Sequence, residues 1–333
     1  MPLPCKKYLD LVRECDGFPY PDEEGYTDVV SKLYKFRLQK TWGPAVQDKS
    51  PSWVNVGLLL PDVVAKMPWT DKFHVDHDTK TVSIPWHEGA EVDFETRAIT
   101  EQTQLARDRD SIEILRKWRE EPYRILGLPP ASSGRPEVRM ARAASAIFGI
   151  HTRGVHVLGY TRSEDSGEMM LWIPRRSPNK QTFPGMLDNT VGGGLTAGED
   201  AFECLIREAE EEASLPGDVV RTHARAVGAI SYFYVRDERA GGRGEVGLLQ
   251  PATQILYDLE LPRDVKPVPL DGEVDEFLLW TPQQTIQALL EGQFKPNSSL
   301  AWIDFFIRHG YITAQNEEDY MEVVARIHRR IYF

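Results

Sequence analysis

The chain has 333 residues, 41% of them hydrophobic, and 51 acidic against 39 basic side chains give a formal net charge of −12. That length and apolar content support a sizeable core in two domains, while an acidic balance without a basic stripe argues against nucleic acid as a partner. No apolar run approaches the roughly 20 residues of a membrane span, no leader is evident in MPLPCKKYLDLVRECDG, and Cys5, Cys15 and Cys204 have no metal-ligand spacing, so a cytoplasmic protein with reduced thiols and no membrane partner is expected.

Residues 1–138 read as a small α+β N-terminal domain. Residues 8–15 and 28–38 show helical periodicity, VNVGLLL predicts a short strand, and FHVDHDTKTVSI predicts a hairpin turning at Asp78 and Thr79. His74 and His77 lie three apart in that hairpin without a third ligand nearby, so they read as surface strand residues rather than metal ligands. Residues 94–126, ending in ILRKWREEPYRIL, predict a helical pair, and LGLPPASSGRPEV, rich in Pro, Gly and Ser, reads as a linker.

Residues 139–333 read as a second, α/β domain. MARAASAIFGI predicts a short helix, GVHVLGYTR a strand, and EMMLWIPRR its hairpin partner. The loop SPNKQTFPGMLDNTVGGG leads to a helix in GGLTAGEDAFECLIREAEEEASL, with Gly192, Gly193 and Gly194 as a tight turn before it. That glycine run lacks the Lys-Ser/Thr of a P-loop and the spacing of a dinucleotide fingerprint. Strands are expected in AVGAISYFYVRD and LQPATQILYDLEL, bridged by the glycine-rich AGGRGEVG. A strand and a helix follow in DEFLLWTPQQTIQALLEGQF, then two more helices.

The helix after the glycines carries the chemistry. At about 100° per residue, with Glu208 at zero, Glu212 falls near 40° and Glu211 near 300°. Phe202, Leu205, Ile206, Ala209 and Ala213 occupy a separate apolar stripe. Like charges three and four residues apart repel by about 0.2–0.5 kcal/mol, so three carboxylates kept together invite a cation. Carboxylate oxygens are hard ligands that suit Mg²⁺ or Mn²⁺. The alternative is a solvated acidic face. An anionic substrate also needs local positive charge, and Arg175, Arg176 and Lys180 stand just before the box. Tyr232 and Tyr234 alternate with Phe233, so one strand face is core and the other is free to stack a ring.

Gly193, Glu199, Arg207-Glu208 and Glu211-Glu212 in this register resemble the signature of the Nudix hydrolases. The resemblance implies an α/β/α sandwich with a mixed sheet and hydrolysis of a diphosphate linkage in a small-molecule substrate. It implies Glu208, Glu211 and Glu212 as metal ligands, joined by the Gly193 carbonyl, with Glu211 and Glu212 serving catalysis as well. Glu199 and Arg207 are then a structural pair bracing the loop and helix. A later carboxylate commonly completes such sites or activates the water, a catalytic role. Asp271, Glu273, Asp275 and Glu276 are the candidates, and Glu273 is the choice. Ser214 stands where the family closes with glycine, so the chain is expected to leave the helix another way.

A narrower resemblance covers nearly the whole chain. GVHVLGY, WIPRRSPNK, FPGMLDNTVGGGLTAGE, LLQPATQILYDLELP and the upstream KWREEPYRILG resemble the fungal and plant branch related to the Nudix portion of thiamine pyrophosphokinase fusions. It implies hydrolysis of thiamine diphosphate analogues, oxo- and oxythiamine forms in particular, to monophosphates. It also implies that Asp188 and Asn189 help bind the substrate and that the first domain caps the site and selects the ring, with Tyr232 the candidate to stack on that ring from its strand face. Two other functions remain open at this level: hydrolysis of nucleoside diphosphate derivatives such as ADP-ribose or oxidised nucleotides, and a non-catalytic ligand-binding module. The oligomeric state is also open.

Overall fold

The computed structural model describes residues 5–41, 52–87, 89–116, 118, 120–240, 242 and 244–331. Lys117 and Arg119 in the second expected helix, and Gly241 and Arg243 in the glycine-rich turn, lie outside the described residues.

The first half is α1 (Tyr8–Cys15), α2 (Tyr26–Val30), β1 (Tyr34–Gln39), β2 (Trp53–Leu59), α3 (Pro61–Lys66), β3 (His74–Asp76), β4 (Thr81–Ser83), α4 (Phe94–Asp108), β5 (Pro122–Arg124) and β6 (Arg139–Ala141). Four strands form one sheet in the order β2-β1-β4-β3, in which β1 and β4 run parallel. Its core includes Phe36, Leu38, Val56, Ile99 and Phe148.

Three expected helices are corrected. Residues 28–38 split into the short α2 and strand β1, where Tyr34, Phe36 and Leu38 are buried and Lys35 is exposed. That period of two is chosen by pairing with β2 and β4 rather than by local propensity. The second member of the 94–126 pair is one 3-10 turn, Glu113–Arg116, followed by β5. Pro122 lacks the donor a helix needs and turns Glu121 away from helical geometry. MARAASAIFGI opens as β6, paired with β5, and closes as a 3-10 turn. The Pro-rich segment between β5 and β6 is anchored, because buried Arg135 bonds Glu95 at 2.5 Å and the Gln39 carbonyl at 3.0 Å.

The second half continues with β7 (Thr152–Arg162), β8 (Met169–Arg176), β9 (Val191–Gly194), α5 (Ala201–Ala213), α6 (Gly217–His223), β10 (Ala224–Val235), β11 (Leu249–Glu260), β12 (Val274–Trp280), α7 (Pro282–Leu290), α8 (Pro296–Arg308) and α9 (Tyr320–Arg326). The sheet order is β10-β11-β7-β8-β12, with β9 pairing on β7. It is mixed: β7 and β11 are parallel, and the other pairs are antiparallel.

Alternation divides the side chains of this sheet between two layers. Leu158, Tyr160, Ile230, Ala252 and Leu256 pack with α8 and α9. Val155, Val157, Tyr257 and Leu259 pack under α5 and α6. This is the α/β/α sandwich. Helix α1 joins its first layer, for Leu9, Val12 and Cys15 lie in the same core as Leu300 and Phe305. Among the described residues no helix is long and apolar enough to cross a membrane.

Candidate active site

Helix α5 starts at Asp200, whose Oδ1 accepts from the Phe202 and Glu203 amides at 2.8 and 3.3 Å. Cys204, Leu205, Ile206, Ala209 and Ala213 are buried against the sheet. That packing fixes the rotation of the helix and turns the carboxylate stripe toward β9, where Glu208 lies against Gly193 and Glu212 meets the Gly192 amide. At its end Ser214 adopts φ +52° and ψ 27°, and Leu215 N donates to the Ala209 carbonyl at 3.1 Å. The expected alternative exit is therefore corrected. Serine takes the left-handed conformation that glycine would take without steric cost.

The glycine run is also not a turn. Val191–Gly194 is strand β9. A Cβ on Gly193 would run into the Glu208 carboxylate, and one on Gly194 into the Tyr123 hydroxyl. Glycine is needed here for close approach of the strand to α5 on one side and to β5 on the other.

Arg207 organises the helix. Its Nε and Nη2 bond both oxygens of Glu199 at 2.9 and 3.3 Å, while Nη1 reaches Glu208 at 2.9 Å and Glu211 at 3.1 Å. Glu199 in turn accepts from Thr196 N at 3.2 Å, closing the loop onto the helix. Glu212 accepts from Gly192 N at 3.1 Å. Burial, then the charge of Glu208, pushes the Glu212 carboxyl up to about 7. Burial also raises Glu208 despite Arg207 beside it.

Among the described residues no three acidic, imidazole or thiol groups stand close enough together to enclose a metal ion as placed. The Arg207 guanidinium instead bridges Glu208 and Glu211. The donor chemistry nevertheless fits a hard divalent cation. Two half-buried carboxylates with raised pKa values on one helix face are what such a charge would relieve, and oxygen ligands suit it.

These groups line a cleft of about 430 Å³. Lys180, Arg176, Asp188 and Lys295 line the same cleft. Lys180 pairs with Glu273, and burial, then neighbouring Arg176, brings its ammonium down to about 8. Lys295 is lowered by burial as well, opposed by Asp188 at 3.6 Å. Burial alone would raise Asp188, but Lys295, Arg176 and the Ser298 hydroxyl hold it well below the usual carboxylate range.

The predicted residues separate accordingly. Gly193, Glu208, Glu211, Glu212, Lys180, Asp188, Tyr232 and Glu273 line one cleft. Arg176 lines it too, but its guanidinium is engaged by the Phe183 carbonyl at 3.1 Å, the Thr182 carbonyl at 2.9 Å and Asp188 at 2.6 Å. It therefore ties down the 177–188 loop. Two expectations are corrected. Arg175 faces away and pairs with Glu276 of β12 at 2.9 Å, because neighbouring residues of a strand point to opposite faces. Asn189 is buried off the cleft. Of the four later carboxylates, Asp271 and Glu273 reach the cleft, while Asp275 and Glu276 do not.

Sequence reasoning missed Lys295, Gln254, Asn297, His156, Arg142 and Tyr123, all of which line the cleft. One signal was available. Gln254 is an isolated polar residue at the inward parity of β11, between buried Ala252 and Leu256. Burial also drives His156 down to about 3, so it stands neutral in the cleft wall.

A NUDIX domain profile matches residues 151–303. The chain is 40% identical over 235 residues to the uncharacterized protein YJR142W of Saccharomyces cerevisiae, spanning 69% of this chain and 67% of that protein. It is 35% identical over 236 residues to Nudix hydrolase 20, chloroplastic, of Arabidopsis thaliana, and 38% identical over 187 residues to Nudix hydrolase 24, chloroplastic, of the same plant. These alignments cover 71% and 56% of this chain but only 58% and 48% of the two plant proteins. The chain belongs to the Nudix hydrolase family.

Proposed function

We propose that the protein is a Mg²⁺-dependent diphosphatase, also served by Mn²⁺, that hydrolyses thiamine diphosphate analogues such as the oxo- and oxythiamine forms. Water and the diphosphate give the monophosphate and inorganic phosphate. The observation that carries this reading is one cleft lined both by the half-buried carboxylates of Glu208 and Glu212, their pKa values raised, and by the ammonium groups of Lys180 and Lys295.

Glu208, Glu211, Glu212 and the Gly193 carbonyl would hold the ion. When bound, the ion neutralises phosphate oxygens and lowers the pKa of a coordinated water. Lys180 and Lys295 bind the anionic end of the substrate. Glu211 has a half-exposed side chain and the freest access to bulk water of the three acids, so it accepts the proton of the attacking water. Glu273, paired with Lys180, positions that ammonium at the phosphates. The thiamine assignment is supported by the branch resemblance. A capping role for the first domain is supported by Glu121 and Tyr123 in the cleft wall. A cytoplasmic location fits the free thiols of Cys5, Cys15 and Cys204, and a fluorescent fusion concentrated in an organelle would overturn it.

The test is a Mg²⁺-dependent product assay by mass spectrometry on thiamine diphosphate, oxythiamine diphosphate, ADP-ribose and nucleoside diphosphates. Monophosphate forming fastest from the thiamine analogues, and lost in Glu211→Gln and Glu212→Gln, supports the proposal. Preference for a nucleotide would sink the thiamine assignment while keeping the chemistry. No metal-dependent turnover of any compound would sink the diphosphatase reading itself.

A further inference from the structure

Beyond the carboxylates and lysines, the cleft contains a buried polar trio that phosphate chemistry does not use. Tyr232 on β10 is 1% exposed, and its oxygen accepts from Gln254 Nε2 at 3.0 Å and from Asn297 Nδ2 at 3.1 Å. A phenolic hydroxyl has two acceptor positions and one hydrogen. With both acceptor positions filled by amides, the hydrogen is left to donate. Asn297 Oδ1 is buried and has no partner among the described residues. The trio thus presents one unclaimed donor beside one unclaimed acceptor. Buried polar groups are costly to leave unmatched, so a ligand that satisfies both is favoured.

Its placement is built into the fold. Tyr232 stands opposite Ala252, which leaves room beside the ring, and Gln254 pairs with Gly154 across the parallel β7–β11 ladder. A Cβ on Gly154 would strike the Gln254 side chain and the Gly193 carbonyl. The same glycine therefore lets Gln254 lie flat toward Tyr232 and lets β9 approach. Asn297 comes from the first turn of α8, two residues after Lys295.

We propose that Gln254, Tyr232 and Asn297 are the ring-reading end of the cleft. They take a nitrogen heterocycle through an edge that pairs a ring nitrogen with an adjacent exocyclic amino or oxo group. This rests on the diphosphatase reading for the position of the phosphates, not for the edge recognition itself. As placed, the Tyr232 hydroxyl donates to the ring nitrogen and Asn297 Oδ1 accepts from the amino group. Turning the Asn297 amide by half a revolution reverses the pattern. Tyr232 then donates to Asn297 Oδ1, its freed acceptor position takes the ring N–H, and Asn297 Nδ2 donates to the oxo group. Gln254 donates to Tyr232 in both arrangements, so each edge meets the same number of hydrogen bonds. The amide of Asn297 is what lets one pocket accept both.

The measurement is calorimetric binding of thiamine monophosphate, which carries the amino edge, and of oxythiamine monophosphate, which carries the oxo edge, to the full chain. Wild type binds both. Asn297→Asp offers acceptors only, and the ratio of amino-probe to oxo-probe affinity rises at least tenfold. Tyr232→Phe, which removes the hydroxyl while filling the same space, weakens both probes about tenfold. An unchanged ratio in Asn297→Asp, undiminished affinities in Tyr232→Phe, or a wild type that binds neither probe would each overturn the proposal. Because the readout is binding of monophosphates, it separates from the hydrolysis assay. Ring binding without turnover would sink the diphosphatase reading alone, and turnover without a ratio change would sink this one alone.

Discussion

Arg176 offers the sharpest test of how the cleft is held open. Its guanidinium and the Asp188 carboxylate form a pair at 2.6 Å with side-chain exposures of 11% and 16%. The other nitrogens bond the Thr182 and Phe183 carbonyls. Replacing Arg176 by Gln removes the charge and leaves Asp188 with Lys295 at 3.6 Å and the Ser298 hydroxyl. Breaking a buried pair costs about 3–5 kcal/mol. The retained lysine places this case at the lower end, about 3 kcal/mol at neutral pH. Urea unfolding of wild type and Arg176→Gln, repeated over a pH series, measures it. The carboxyl of Asp188 is held below its ordinary value in the folded protein, so the stability it confers is present above the unfolded value of about 3.9 and is lost as pH falls below it. The gap between the two proteins therefore narrows on acidification. A loss under about 1 kcal/mol at pH 7 would refute the argument, as would a gap that widens in acid. An unaltered stability with a raised KM would make Arg176 a substrate ligand instead.

Three further outcomes follow from the same geometry. Glu212 is raised to about 7 by burial and Glu208, so in metal-free protein its contribution favours folding at low pH and is lost as pH rises from about 4.3 toward 7. Thermal unfolding in chelator should show this decline, and Glu212→Gln should flatten it. Gly193→Ala drives a methyl group into the Glu208 carboxylate. It should lower metal affinity or turnover by about 10–100-fold with circular dichroism unchanged, as found when the support of a ligand is disturbed; wild-type Mg²⁺ dependence would count against the site. Ser214→Gly releases a left-handed serine and should stabilise the protein by about 0.5–1 kcal/mol in urea, less the entropy glycine adds to the unfolded chain.

The carboxylate helix was legible because its information is local. The order of Glu208, Glu211 and Glu212 around a 3.6-residue helix follows from the chain alone, as does the separation of that stripe from Leu205, Ile206 and Ala209. The Arg207–Glu199 pair was legible through the family spacing. Residues 28–38 and MARAASAIFGI were misread because their apolar residues satisfy a helical pattern, whereas partner strands distant in sequence claim them at period two. Arg175 and Arg176 are adjacent in sequence and identical in type. Only the pairing of β8 with β12 and the path of the 177–188 loop separate a surface ion pair from a buried clamp.

The amino-acid sequence by itself determined that this chain carries a carboxylate-bearing helix after a run of glycines, on an α/β scaffold of strands and helices in a recognisable order. Local periodicity and spacing are enough for that, since every relevant neighbour lies within two or three turns. The tertiary structure alone decided what stands across the cleft. Lys295 comes from the residue just before α8, Asn297 from its first turn, Gln254 from β11, and Tyr123 from the first half of the chain. These residues meet because the sheet buries one parity of each strand and the glycines at 154, 193 and 194 let backbones approach. Contacts of that range depend on packing between layers, which no window of sequence contains.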